Sequence, residues 1–388
     1  VLMKHINSNE RLYLLDISRA FAATCVVLQH YQHFYYISPN KLGNLFLYSE
    51  QPFIEYIEFA YKFGTVAVQF FFILSGFIFF YFYKKKIFEK KVNFRDFLIL
   101  RISRLYPLHF LTLLLMLFFQ KIYYNIYSDY FIYPNNSIEN FISHFFLIQE
   151  WGFLNLFNLN INSGFNQPAW SISVELFAYL SFFVVSLFFI KNLFESLFLL
   201  LLVILVHILI QPSLGNLSVG IILFYLGGST FFLSSYIKSK LKSYKKIILF
   251  SILFIDFLVF GRFLNSIFLE LQNYLIGTIG DRIMLLLFFI KFPLLIINLD
   301  IIQFYFKNLG KSLKIFGDLS YTIYLIHVPI QIVIMFVHNS IFNIEFNNEF
   351  FFIIYFLIIF GLSGLVFKYY EHPAKVLLRN KFININKN

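Results

Sequence analysis

The stretch "RAFAATCVVLQHYQHF", Arg19 to Phe34, lies in the first long apolar run of the chain and decides how the rest is read. It is apolar enough to cross a membrane, yet it starts on an arginine and carries His30 and His33 near its far end. Ionisable groups at that depth are costly in lipid, so they must face a protein interior or a wet cavity. In a helix, residues eleven apart differ by about 20° in direction and about 16.5 Å along the axis. Arg19 and His30 therefore share a face, three turns apart. Asp16, three residues before Arg19, is placed to pair with it, and His33 lies near the same face. One helix carries a polar stripe from its first turns to its outer third.

The remainder of the sequence supports a membrane setting. Of the 388 residues, 59% are apolar, 22% aromatic and only 13% charged, against about 25% charged in an ordinary soluble domain. Ten apolar runs are candidate spans, at roughly 14–36, 65–83, 105–124, 170–190, 194–211, 218–237, 247–261, 279–299, 317–338 and 350–370. The stretch 140–158 is apolar but broken, and reads as re-entrant or interfacial. No cleavable leader pattern opens the sequence, so the first run is read as a retained span. The expected fold is all-α, a polytopic transmembrane helix bundle forming a single domain over 1–388 with no additional soluble domain.

Basic residues orient the bundle. The segment "KKKIFEKKVNFRDFLILRISR", 84–104, and the segment "KSKLKSYKK", 238–246, concentrate lysine and arginine, whereas Glu50, Glu55 and Glu58 make the first opposite loop acidic. With those basic segments and both termini in the cytoplasm, every Lys and Arg falls inside except Arg19, Lys41, Lys62, Lys121, Arg262, Arg282 and Lys291. That asymmetry follows the positive-inside rule. It also accounts for the net charge of +11 through topology and lipid headgroups, so no nucleic-acid partner is expected. Cys25 is the single cysteine, which excludes an intramolecular disulfide or a cysteine-rich zinc site.

Four further features carry chemistry. In "PAWSISVELFAYL", 168–180, Trp170 suits the outer membrane interface. Glu175 then lies about 7 Å below it, while His30 has climbed about 24 Å of a hydrocarbon core of about 30 Å. Both reach a similar depth, where a carboxylate beside an imidazole would set its tautomer and basicity; the plain alternative is a snorkelling Glu. In "RISRLYP", 101–107, Arg101 and Arg104 lie one turn apart, either as a phosphate clamp or as topological anchors. Ser75, followed by Gly76, suits close helix packing. His327 and Pro329 share the ninth span, as pocket lining or as a kinked packing site. Lys291, Asp256, His207 and the Asp281–Arg282 pair lie in or near spans without an assigned role.

Taken together these motifs resemble the integral-membrane acyltransferase-3 family. Its "LDGLRAIAALLVVLFH" is similar to "LDISRAFAATCVVLQH", 15–30, and its "FFVLSGF" to "FFILSGF", 71–77. Its Arg-x-x-Arg element with Tyr-Pro is similar to "RISRLYP", its "WSLSVEEQFYL" to "WSISVELFAYL", 170–180, and its "YSLYLWHWP" to "YTIYLIHVP", 321–329. The departures are Ile17 and Ser18 for Gly-Leu, Leu176 for the second Glu, and Ile326 and Val328 for aromatics. The resemblance implies acyl transfer, commonly of acetyl, from cytoplasmic acyl-CoA to a hydroxyl of a cell-envelope glycan or glycolipid. It implies that His30 is catalytic, that Arg19 and Glu175 share its site, and that Arg101 and Arg104 meet the CoA phosphates. The substrate-binding set expected is Arg19, Asp16, Arg101, Arg104, Ser75, Trp170 and His327. Acetyl-CoA is the expected donor and co-substrate, no metal is expected, and the expected place is a bacterial inner membrane among its lipids. Many relatives add an extracytoplasmic hydrolase-like domain, and the chain as given is expected to be the membrane unit alone. A transporter or flippase for an envelope lipid or polysaccharide is the rival reading; no internal repeat speaks for it.

Overall fold

The computed structural model describes residues 11–38, 41–42, 48–152, 164–188, 191–210, 215–240, 287–341 and 344–383. Their order is α1 (Tyr13–Gln29), a 3₁₀ turn (His30–Tyr35), a short β1–β2 hairpin (Tyr36–Ser38, Lys41–Leu42), α2 (Ile54–Phe79) and α3 (Phe94–Tyr127). There follow α4 (Ile138–Phe145), α5 (Trp170–Phe188), α6 (Leu193–Ile210), α7 (Gly215–Lys240), α8 (Phe292–Tyr305), α9 (Lys314–Ser340), α10 (Glu349–Val366) and α11 (His372–Phe382). Seven helical stretches among the described residues are long and apolar enough to cross a membrane. The stretch Leu193–Leu209 and the 17-residue α1 are shorter. The fold is an all-α polytopic bundle. The expected span at 247–261, with Asp256, Arg262, Asp281 and Arg282, lies outside the described residues.

Two boundaries differ from the sequence reading. The run 14–36 is not one α-helix, because the chain tightens into 3₁₀ geometry from His30. The third span begins before the expected residue 105. Asn93 caps it, its Oδ1 accepting from the Asp96 amide at 2.8 Å, and the helix runs from Phe94 straight through Pro107. Arg101 and Arg104 thus lie within a helix rather than on a loop.

The centre is made by α1, α2, α7 and α9, which have the most extensive mutual packing. Glycines set the closest approaches. A Cβ on Gly76 would strike the Phe224 carbonyl of α7, and one on Gly227 would strike the Ile73 carbonyl of α2, so the two helices cross backbone to backbone. Gly317 of α9 meets Asp16 of α1 in the same manner. Lipid tails are as apolar as leucine, so such crossings depend on packing contacts rather than on hydrophobic exclusion. The outer surface matches this reading: α6 exposes Phe194, Phe198, Leu201 and Leu209. His207 Nδ1 hydrogen-bonds Ser218 Oγ at 2.7 Å, tying α6 to α7.

Gly76→Leu is expected to lower stability by about 3 kcal/mol, the upper end of overpacking costs, because backbone rather than a side chain would have to move. Gly361→Leu on α10, where nothing lies within 4 Å of the added Cβ, leaves it unchanged. Thermal unfolding of the detergent-solubilised protein compares the two.

Candidate active site

The polar stripe of α1 is matched by partners on its neighbours. At its start, Asp16 pairs with Arg11 at 2.6 Å and with Arg19 at 3.6 Å. Arg11 also reaches Asp318 of α9 at 2.8 Å. Arg19 then enters a cavity of about 70 Å³ that is also lined by Ser75, Arg104, Ser171, Glu175, Tyr321 and Tyr324. A cavity of that size holds a few water molecules. The Glu175 carboxylate accepts from Ser75 Oγ at 3.2 Å and from the Tyr179 hydroxyl. Two guanidiniums and one carboxylate therefore share a small polar chamber, with tyrosine hydroxyls on its wall.

At the far end of the stripe, His30 Nδ1 and His327 Nε2 are 2.8 Å apart. One ring donates and the other accepts. The His30 ring stacks on His33, at 4.6 Å between centroids, and meets His327 edge to edge through the hydrogen bond, at 5.1 Å. A second chain steadies them. His33 Nδ1 donates to Gln331 Oε1 at 2.9 Å, and Gln331 Nε2 donates to the His30 carbonyl at 2.9 Å. The Tyr133 hydroxyl approaches His33 Nε2 at 3.4 Å. The 3₁₀ turn allows this arrangement, since it carries His30 and His33 onto one face opposite α9.

His30 and Glu175 have different partners in the structure. The partner of His30 is His327, and Glu175 belongs to the Arg19–Arg104 chamber. The segment before α5 packs inside the bundle against α9. Phe165, Asn166, Pro168 and Ala169 are buried. Asn166 Nδ2 donates to the Leu325 carbonyl at 2.9 Å, and the Tyr324 hydroxyl donates to the Pro168 carbonyl at 2.9 Å, both near the middle of α9. Trp170 packs against Phe72, with ring centroids 5.9 Å apart. On the other side His144 of α4 packs against Phe165, with centroids 5.9 Å apart, and its carbonyl accepts from His109 of α3 at 2.8 Å.

Asn166 answers a local need. Pro329 has no N–H, so the Leu325 carbonyl four residues earlier loses its helical partner. Asn166 replaces it. Pro329 in a span is thus the sequence signal that a donor must come from elsewhere, although it does not say which residue.

The arginine pair is divided. Arg104 lines the chamber. Arg101 is 4% exposed and is enclosed by the rings of Phe79, Tyr83, Phe97 and Tyr179, with its guanidinium carbon 4.6 to 5.8 Å from their centroids. It donates to the Tyr83 hydroxyl. Cation–π contacts offset part of the cost of burying that charge. Through Tyr179 this cage touches Glu175, a link that spacing along the sequence does not reveal. Among the described residues no group of three or more His, Cys, Asp or Glu side chains is arranged to hold a metal ion.

A family model described as an acyltransferase domain matches residues 12–368. Acyltransferase MdmB of Streptomyces mycarofaciens is 28% identical over 173 residues, covering 44% of this chain and 38% of that protein. Protein 2 in the picA locus of Rhizobium radiobacter is 34% identical over 107 residues, covering 28% of this chain and 44% of that protein. Each match thus spans less than half of the relative's length. No solved structure matches the chain.

Asn166→Ala is expected to destabilise the protein by about 1–2 kcal/mol by leaving a buried carbonyl unpaired. In a Pro329→Ala background, where the amide of residue 329 can bond Leu325, the same change falls below about 0.5 kcal/mol. Denaturation of the four proteins of that cycle checks the coupling.

Proposed function

This chain belongs to the acyltransferase domain family, and on that premise we propose that it is a membrane O-acyltransferase that moves an acyl group, acetyl, from cytoplasmic acyl-CoA to a hydroxyl of a cell-surface or envelope glycan. The observation that carries the reading is the polar column just described, with its cationic chamber at one end and its imidazole pair at the other. A column of this kind is expensive in a membrane bundle and is kept where substrate or protons pass. The proposed setting is the cytoplasmic membrane of a bacterium, with the Arg11–Asp318 end facing the cytoplasm.

The donor's phosphates are drawn to the end bearing Arg104, and Arg19 carries positive charge further along the column. Glu175, held by Ser75 and Tyr179, offsets one of the two guanidinium charges and leaves the chamber cationic. As it stands the chamber is narrower than a pantetheine arm, so entry of the donor requires its side chains to part. Arg101, locked in its aromatic cage, positions Tyr179 and through it Glu175.

At the outer end His30 acts on the acceptor. With His30 Nδ1–H donating to His327 Nε2, the Nε2 lone pair of His30 is free. It removes the proton from the acceptor hydroxyl as the oxygen attacks the thioester carbonyl, and the proton then passes to the departing thiolate. The products are an ester and free CoA thiol. His327 serves as the acceptor that fixes the tautomer and supports the imidazolium, a task often given to a carboxylate. The stacked His33, fixed by Gln331, keeps the His30 ring plane in place.

His30→Ala is expected to lower acceptor-dependent CoA release about 10³-fold, within the range of a lost general base. His327→Ala lowers kcat about 10- to 100-fold with donor KM little changed. Arg104→Ala instead raises donor KM about tenfold, the loss of a charge-assisted contact to phosphate. The three are measured with purified protein in nanodiscs, acetyl-CoA and a soluble glycan acceptor. Turnover of His30→Ala equal to that of the unaltered protein would overturn the assignment.

A further inference from the structure

The helix α11 lies beyond the stretch matched by the family, yet it lies directly against α3 beside Arg104. It is reached from α10 through a π turn, Phe367–Glu371. Glu371, Lys375 and Arg379 follow one another at intervals of four and so form a single stripe. Glu371 is buried, and Lys375 and Arg379 are half-buried. The opposite face, with His372, Pro373, Leu377 and Lys381, is exposed.

Two members of the stripe have evident tasks. Glu371 accepts from Thr322 Oγ1 of α9 at 2.5 Å. Arg379 donates through Nε to Ser103 Oγ at 3.0 Å and through Nη2 to the Leu100 carbonyl at 3.2 Å, fastening α11 to the turn of α3 that carries Arg104. Lys375 has no such task. Among the described residues it forms no ion pair and no hydrogen bond.

Its surroundings are cationic. Lys375 is within electrostatic range of Arg104 and Arg379, and Arg379 of Arg101 and Arg104. The acids within range of Lys375 are Glu371 and Asp318, and Asp318 is held by Arg11 at 2.8 Å; Arg104 is also within range of Glu371, Glu175 and Asp16, the last already paired with Arg11 and Arg19. Like charges gathered beneath a partly covered surface repel one another unless an anion sits among them. A half-buried ammonium with spare donors beside a planar guanidinium suits a phosphate, which has several acceptor oxygens and a high charge density.

We propose that Lys375 and Arg104, held together by the Arg379 anchor, form a binding site for a phosphate group at the end of the bundle assigned to the cytoplasm. The phosphate is that of the nucleotide acyl donor, which rests on the function proposed above, or that of an anionic lipid headgroup. The α11 stripe thereby extends the donor site beyond the family-matched stretch.

The test measures CoA binding by the full chain in nanodiscs of phosphatidylcholine. It also measures the phosphatidylglycerol retained by the protein when that lipid is mixed in. Lys375→Ala is expected to weaken CoA binding about tenfold. Lys375→Arg is expected to restore it to within about twofold, and Lys381→Ala, on the exposed face, to leave it unchanged. A Lys375→Ala protein that keeps its CoA affinity but loses phosphatidylglycerol assigns the site to a lipid headgroup. One that keeps both overturns the proposal. Failure of the unaltered protein to bind CoA contradicts the donor reading instead, and the lipid measurement still reads the phosphate site.

Discussion

Burial of charge inside an apolar bundle governs this structure. Each uncompensated ion there costs several kcal/mol, and α1 alone brings Asp16, Arg19, His30 and His33 inward. Each of them is answered from elsewhere in the chain. Arg11 joins Asp16 to Asp318 on α9, Glu175 on α5 shares the Arg19 chamber, and His327 on α9 meets His30. Gln331, one turn beyond His327, answers His33. The polar groups thus act as register marks that select which helix lies beside which, and at what height.

Close approach makes the matching possible. Short hydrogen bonds between helices require backbones nearer than bulky side chains permit, and Gly76, Gly227 and Gly317 provide that proximity. The segment before α5 docks on α9, where Asn166 satisfies the carbonyl freed by Pro329.

Helix existence was legible in the sequence because hydropathy over about twenty residues reports directly on a span. Arg19 and His30 stood out for a related reason, since ionisable residues in such a run have few structural uses. What could not be read was partnership. The reading joined Glu175 to His30, whereas His30 meets His327, and the contacts of Asn166 and Tyr324 that fix the start of α5 against α9 have no local signature. The same holds for Arg101 and Arg104: one turn apart on a helix, they differ in surroundings because Phe79, Tyr83 and Tyr179 converge from three other segments onto Phe97 of α3 itself. His327 was named without a partner, and its partner is the residue most prominent in the sequence. The task of Arg379 escaped notice because basic residues near a terminus also satisfy topology.

The account reduces to a polar column that joins a donor on one side of the membrane to an acceptor on the other. Sealed proteoliposomes test it most directly, with the donor end facing outward, acetyl-CoA outside and the hydroxyl acceptor confined to the lumen. The account predicts acetylated acceptor in the lumen while acetyl-CoA remains outside. Product formed only when donor and acceptor share one compartment would contradict it.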